Sequence, residues 1–308
     1  MSFSSDVKRE LYNISTTEKS ERVCELYGML LFSSRFSQRE IVFKTENRCS
    51  ALRFESLLSE FFNPIIEKKS DLSPKKSGSG LYKLSVPLPS DCKRIFEFFG
   101  HSQKDIKLRI NRANLDSEDS YAPFLKGVFM SSGSVTDPEK GYHLEIMVRH
   151  KTLADNLMHF IGEIEVFSVN AKVTPRKGSY LVYLKGSENI CDFLGYIGAG
   201  NSVMRIIKTS AYKDMINTLT RRQNSELSNI RKLADASAKQ INAIEKLRRS
   251  GVLESLPAEL RELCELRLNN PEMSLTELSK QLNISRSGVN HRIERLYKLA
   301  ERTGEKDD

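Results

Sequence analysis

The sequence predicts an α+β protein in which two tandem copies of an αββαββα unit precede an all-α linker and a C-terminal helix-turn-helix. Three observations carry this reading. Residues 25–36 (ELYGMLLFSSRF) and 124–135 (FLKGVFMSSGSV) open two stretches with the same order of apolar runs, aligning Gly28 with Gly127 and Ser33 with Ser132. An offset of ~100 residues marks two fused copies of one small domain, not a solenoid. After Gly200 the strand-like runs stop and breakers become rare. Residues 274–299 (SLTELSKQLNISRSGVNHRIERLYKL) form two short amphipathic patterns around one turn.

In each copy the opening helix leads to a strand-like run, at 40–44 and at 143–148. A second helix follows, SALRFESLLSEFF from Ser50 and KTLADNLMHFI from Lys151, with apolar residues at helical spacing. Two more strands come next, 65–68 with 81–86, and 171–174 with 180–185. Each copy closes with an apolar helix, 92–100 and 190–198. The polar stretch 111–120 (NRANLDSEDS) joins the copies. The segments GSG at 78–80 and GAGNS from Gly198 are expected as turns rather than phosphate cradles, and no Walker-type loop occurs. The expected boundaries are 1–110 for the N-terminal segment and first copy, 111–204 for the connector and second copy, 205–252 for the linker and 253–308 for the helix-turn-helix.

Within the linker, Leu227, Ile230, Leu233, Ile241, Ile244 and Leu247 recur at an amphipathic spacing, with Arg221, Arg222, Arg231 and Lys232 on the polar side. The simpler reading is a solvated pair of linker helices, and the sharper one an additional phosphate-contacting surface. Gly251 ends this region, and Ser255 is expected to cap a helix with Pro257 in its first turn. Leu260, Leu263 and Leu266 should face the last two helices.

The final stretch is the most specific. Ser274 and Glu277 have the spacing of a capping box. Leu275, Leu278 and Leu282 share one face, and Asn283 suits the left-handed turn that a tight helix–helix junction requires. Ser285 can cap the second helix, which buries Ile284, Val289, Ile293 and Leu296. Its opposite face carries Arg286, Ser287, Asn290, His291 and Glu294, flanked by Arg292, Arg295 and Lys298. Asn pairs bidentately with adenine and Arg with guanine, and the N-terminal exposed positions of such a helix meet base edges. The alternative is a helical hairpin with a solvated charged face.

Composition agrees with a globular DNA binder. The 308 residues suit roughly two to three domains. Net charge is +8 with pI ≈ 9.1, favouring a polyanionic partner. No apolar run approaches the ~20 residues of a membrane span, and MSFSSDVKREL lacks the apolar core of a signal peptide, so a cytoplasmic location and no membrane partner are expected. The five cysteines and five histidines are scattered without metal or disulfide spacing, and no cofactor is expected.

The repeated runs resemble LAGLIDADG homing endonucleases, in which two such helices meet through small residues and two saddle-shaped sheets straddle DNA. The resemblance places Gly28 and Gly127 at the helix crossing, and Ser33 and Ser132 where that family has its catalytic carboxylates; Leu31 and Met130 occupy the other acidic position. A hydroxyl does not replace a carboxylate as a ligand for a hard cation. Two degenerate copies, a helical linker and a helix-turn-helix together resemble the WhiA family of bacterial regulators, most tellingly over FLKGVFMSSGSVTDPEKGYHLEI, RRQNSELSNIRKLADASAKQINAIEKL and LTELSKQLNISRSGVNHRIERL. The resemblance implies a nucleoid-associated, non-enzymatic regulator of transcription that binds double-stranded DNA, in cell division and chromosome segregation, or in sporulation in some relatives. In actinobacterial relatives it implies a WhiB-type partner. Two rivals stay open: a metal-dependent DNA endonuclease, with Glu25, Asp137 and Glu145 as the nearby carboxylates, and a protein-interaction scaffold built on the repeats.

Overall fold

The structure, a computed structural model, describes residues 2–14, 16–71, 80–103, 107–165 and 170–304. Gly78 and Ser79 of the expected turn lie outside the described residues. The chain divides into two compact units, Met1–Lys213 and Asp214–Asp308.

The first unit opens with α1 (Phe3–Asn13), which the sequence reading does not anticipate. Its Phe3, Val7 and Leu11 lie four residues apart and are buried in the core. The first copy then runs α2 (Lys19–Leu31), β1 (Arg35–Phe36), β2 (Ile41–Thr45), α3 (Arg48–Phe62), β3 (Glu67–Asp71), β4 (Leu81–Val86) and α4 (Pro89–Phe98). The second repeats it as α5 (Tyr121–Ser132), β5 (Gly133–Val135), β6 (His143–Val148), α6 (Lys151–Gly162), β7 (Lys172–Arg176), β8 (Ser179–Lys185) and α7 (Ser187–Tyr196). The αββαββα order holds twice. Each copy forms one antiparallel four-stranded sheet, ordered β1-β2-β4-β3 and β5-β6-β8-β7.

Burial follows the two-residue strand period. Phe43 and Leu84, then Leu144 and Leu184, are opposite pairs on the buried faces, while Lys44 opposite Lys83 lies on the other face. One expectation shifts. The strand expected at 65–68 is observed at Glu67–Asp71, and Ile65 is 63% exposed, because ladder pairing with β4 rather than apolarity sets its limits.

The two copies meet along α2 and α5. A methyl group added at Gly28 would fall 2.2 Å from the Phe124 carbonyl oxygen, and one at Gly127 only 2.0 Å from the Glu25 carbonyl oxygen. The backbones therefore approach closer than any side chain permits, which is why glycine stands at both positions. Beside this crossing lies a buried charge cluster. Arg53 of α3 donates to both Glu25 carboxylate oxygens, at 2.8 and 2.5 Å, and Lys126 of α5 lies 3.3 Å away. Burial lowers the Lys126 pKa, opposed by the Glu25 charge. The apolar residues of both copies join one core, in which Phe43 stacks on Phe54 at 4.3 Å.

The expected pair of linker helices is a single helix, α8 (Gly200–Arg249). No Gly or Pro interrupts residues 201–250, so nothing breaks it. Its start is tied down by α1: the Glu10 carboxylate accepts the Asn201 and Ser202 N–H groups at 2.7 and 3.0 Å. The expected apolar face is only partly realised. Ile244 and Leu247 are buried, but Leu227 and Ile230 are 53% and 62% exposed. Arg221, Arg222, Arg231 and Lys232 are exposed, with Arg222 paired to Glu226.

Candidate nucleic-acid interface

The second unit takes the end of α8 and adds α9 (Ala258–Asn269), α10 (Leu275–Gln281) and α11 (Arg286–Gly304). Its core gathers Ile244, Leu247, Leu260, Leu263, Leu278, Val289, Ile293 and Leu296. Leu266 and Ile284 are only partly buried, packed at its edge.

The capping box of α10 is complete. Ser274 Oγ accepts the Glu277 N–H at 3.2 Å, and the Glu277 carboxylate accepts the Ser274 N–H at 2.7 Å. Those hydrogen bonds hold the Glu277 carboxyl below its usual pKa. Asn283 takes φ 50°, the left-handed turn expected of it. The Ile284 N–H returns to the Ser279 carbonyl oxygen at 3.0 Å, closing the first helix's end. Ser279, buried between the helices, donates its hydroxyl to the Thr276 carbonyl at 2.8 Å and so leaves no unmet polar group. Ser285 Oγ accepts the Gly288 N–H at 3.1 Å and caps α11.

One local expectation fails. Ser255 does not cap α9; its hydroxyl donates to the Val252 carbonyl inside a short 3-10 turn, Leu253–Ser255, and Pro257 is the N-cap. The pre-set φ of proline starts the helix without a side-chain acceptor.

On α11 the two faces separate cleanly. Val289, Ile293 and Leu296 are buried, whereas Ser285, Arg286, Ser287, Asn290, His291, Glu294, Arg295 and Lys298 are all exposed. Arg292 differs. Its guanidinium pairs with the Glu259 carboxylate at 3.3 Å and donates to the Glu259 carbonyl, tying α11 to α9. Arg267, which sequence reasoning passed over, is 1% exposed. It donates to the carbonyls of Asn270, Pro271 and Met273, the last at 2.7 Å, and so holds the loop before α10. Burial lowers its pKa. A charged residue gives no sequence signal for this placement, since arginine is rarely fully buried.

The motif positions of the repeats have separate surroundings. Leu31 and Met130 are sealed in the core. Ser33 donates its hydroxyl to the Arg35 carbonyl at 3.0 Å, and Ser132 Oγ is buried with no hydrogen-bond partner among the described residues. The carboxylates near them are engaged elsewhere: Glu25 with Arg53, Asp137 with Arg205, and Glu145 with His143 and Arg176. Among the described residues no group of three His, Cys, Asp or Glu side chains could hold a metal ion. No helix of the described residues is long and apolar enough to cross a membrane.

Comparison with known proteins agrees with this geometry. Residues 219–300 match the family model of the WhiA C-terminal HTH domain, and residues 121–216 that of the WhiA LAGLIDADG-like domain. A probable cell division protein WhiA of Clostridium perfringens is 34% identical, the match covering 99% of both chains. One from Clostridium beijerinckii is 35% identical over 98% of both. The crystal structure of full-length DUF199/WhiA from Thermatoga maritima, 26% identical, superposes with a TM-score of 0.57 over 98% of this chain and 99% of that one. Two repeats of one αββαββα unit, a capped helix-turn-helix and full-length similarity to these relatives make this chain a member of the WhiA family.

Proposed function

We propose that this protein is a sequence-specific DNA-binding regulator of transcription acting in cell division and chromosome segregation, with sporulation as the corresponding process in some relatives. The observation that carries it is α11, whose exposed face gathers the residues able to read bases while its buried face seals a capped helix-turn-helix core. Arg286, Ser287, Asn290 and His291 face base edges, with Ser285 and Glu294 beside them on the same surface, and Arg292, Arg295 and Lys298 face phosphates. Arg292 does so from a position held by Glu259. The process is supported by the names of the relatives, which are probable cell division proteins. The setting is cytoplasmic and nucleoid-associated, as DNA binding requires.

The repeats act here without nuclease chemistry. Supporting this, serines stand at both motif positions, and Glu25, Asp137 and Glu145 are each held by a cation. Incubating supercoiled plasmid with the protein and Mg²⁺ tests it: intact plasmid is expected, and Mg²⁺-dependent nicking would reinstate the endonuclease reading.

Titrating variants against specific and random duplexes at several salt concentrations tests the interface. Asn290→Ala should leave folding intact and cost about 1–3 kcal/mol on the specific site only. Arg295→Ala should weaken every duplex alike and reduce the slope of log affinity against log salt by about one. Unchanged site binding by Asn290→Ala would move base reading off this helix.

A further inference from the structure

At the C-terminal ends of α2 and α5, where the LAGLIDADG resemblance puts catalytic carboxylates, the first unit encloses a cavity of about 240 Å³. No Asp or Glu lines it among the described residues. Its polar wall carries Arg35, Lys44, Arg149, His150 and Ser132. Arg35 pairs with Glu40, but Lys44 and Arg149 have no ion-pair or hydrogen-bond partner among the described residues. Opposite them stand apolar side chains, Phe32 and Met147 among them, the latter 55% exposed.

The positive charge is not incidental to the sheet. Lys44 pairs directly with Lys83, and Lys83 with Lys69, so three lysines stand side by side on adjacent strands of one face. Like charges opposite one another in a sheet repel, and an anion relieves them. The helix carbonyls that end at the cavity are occupied: Gly28 O accepts the Phe32 N–H, Leu30 O the Ser33 N–H, and Met29 O the Ser131 hydroxyl. They offer little to a cation. The first turn of α6, preceded by His150, has no side-chain cap, so its N–H groups add to the positive field at the same wall. Ser132 Oγ, buried against the cavity without a partner, gains an acceptor if χ1 turns it toward a bound oxygen.

We propose that this cavity is a phosphate-binding site, and that it takes a small phosphorylated ligand with an apolar or aromatic part, of mononucleotide size or smaller. Lys44 and Arg149 hold the phosphate, and the Phe32 and Met147 wall receives the rest. The volume lies below the ~300–1,000 Å³ of sites for larger ligands. A DNA backbone is the competing source of the same phosphate chemistry, and competition with duplex DNA separates the two.

The full-length protein would be titrated calorimetrically with inorganic phosphate and with adenosine monophosphate. Saturable binding of both is expected, tighter for the nucleotide. Lys44→Gln and Arg149→Gln, both at exposed positions, should each weaken it roughly tenfold, the effect of losing one charge-assisted hydrogen bond. Lys239→Gln, at an exposed position of α8 in the second unit, should change nothing. Saturating duplex DNA should leave nucleotide binding as it was. The proposal is overturned if the folded protein binds neither probe, or if both cavity variants bind like the parent. It is overturned equally if DNA displaces the nucleotide, which would give the cavity to a backbone phosphate.

Discussion

Two residues in the first unit show how much one side chain decides. Gly28 and Gly127 each face backbone atoms of the partner helix, at 2.2 and 2.0 Å from where a Cβ would stand. Backbone cannot rotate away as a side chain can, so α2 and α5 must separate. Gly28→Ala or Gly127→Ala should cost about 3 kcal/mol or more, read as a lower denaturant midpoint of the first unit. Lys8 is the opposite case, a cation buried in α1 beside the Phe129 ring, 5.8 Å from its centroid. Burial lowers its pKa from the ordinary 10.5 to about 8. Below about 8 the folded state must hold a desolvated charge; between about 8 and 10.5 only the unfolded chain keeps the proton, so stability rises with pH across that window. Lys8→Met should stabilise the protein at pH 7 and remove the rise, measured by urea unfolding at pH 7 and 10. An unaltered pH slope in Lys8→Met would show that another group is responsible.

At the scale of elements, α8 and α11 make a contrast. The helix α11 is specified locally, by the Ser285 cap, the Asn283 turn and the 3–4 spacing of Val289, Ile293 and Leu296, and all three signals were legible. Truncating Ile293 to Ala removes buried volume from a small core and should cost roughly 2–5 kcal/mol, enough to unfold the second unit selectively in a thermal melt. The helix α8 is specified by the absence of breakers and by its first-turn anchor. Glu10 accepts two N–H groups and the Ser202 hydroxyl there. Glu10→Ala should leave those donors unmet and fray the start of α8, a loss of about 1–3 kcal/mol seen as faster amide exchange at Asn201 and Ser202. The exposed middle of α8 has few buried contacts, and limited proteolysis should cut there before it cuts α2 or α5.

For the whole molecule, each unit has its own apolar core, and no residue among those described belongs to both. Removing residues 253–308 takes away α9, α10 and α11 and most of the second core. Specific DNA binding should then vanish while the first unit keeps its near-ultraviolet circular dichroism and its melt. Specific binding that survives the truncation would move recognition to the paired sheets.

What the sequence by itself determined is what neighbouring residues enforce. The strand at Leu81–Val86, the strand at His143–Val148 and the capped helix-turn-helix follow from periods and caps a few residues long, and the duplication from the matching runs at 25–36 and 124–135. The four-residue spacing of Phe3, Val7 and Leu11 carries the same kind of signal for α1, a helix the sequence reading does not anticipate. The tertiary structure alone decided the rest. The limits of β3 depend on β4, and the anchor of α8 on Glu10, far away along the chain. The same holds for the cluster of Glu25, Arg53 and Lys126, and for the cavity that joins Lys44 to Arg149. Each of these is a contact between segments whose separation in sequence carries no periodic trace, so only the closed fold brings its members together.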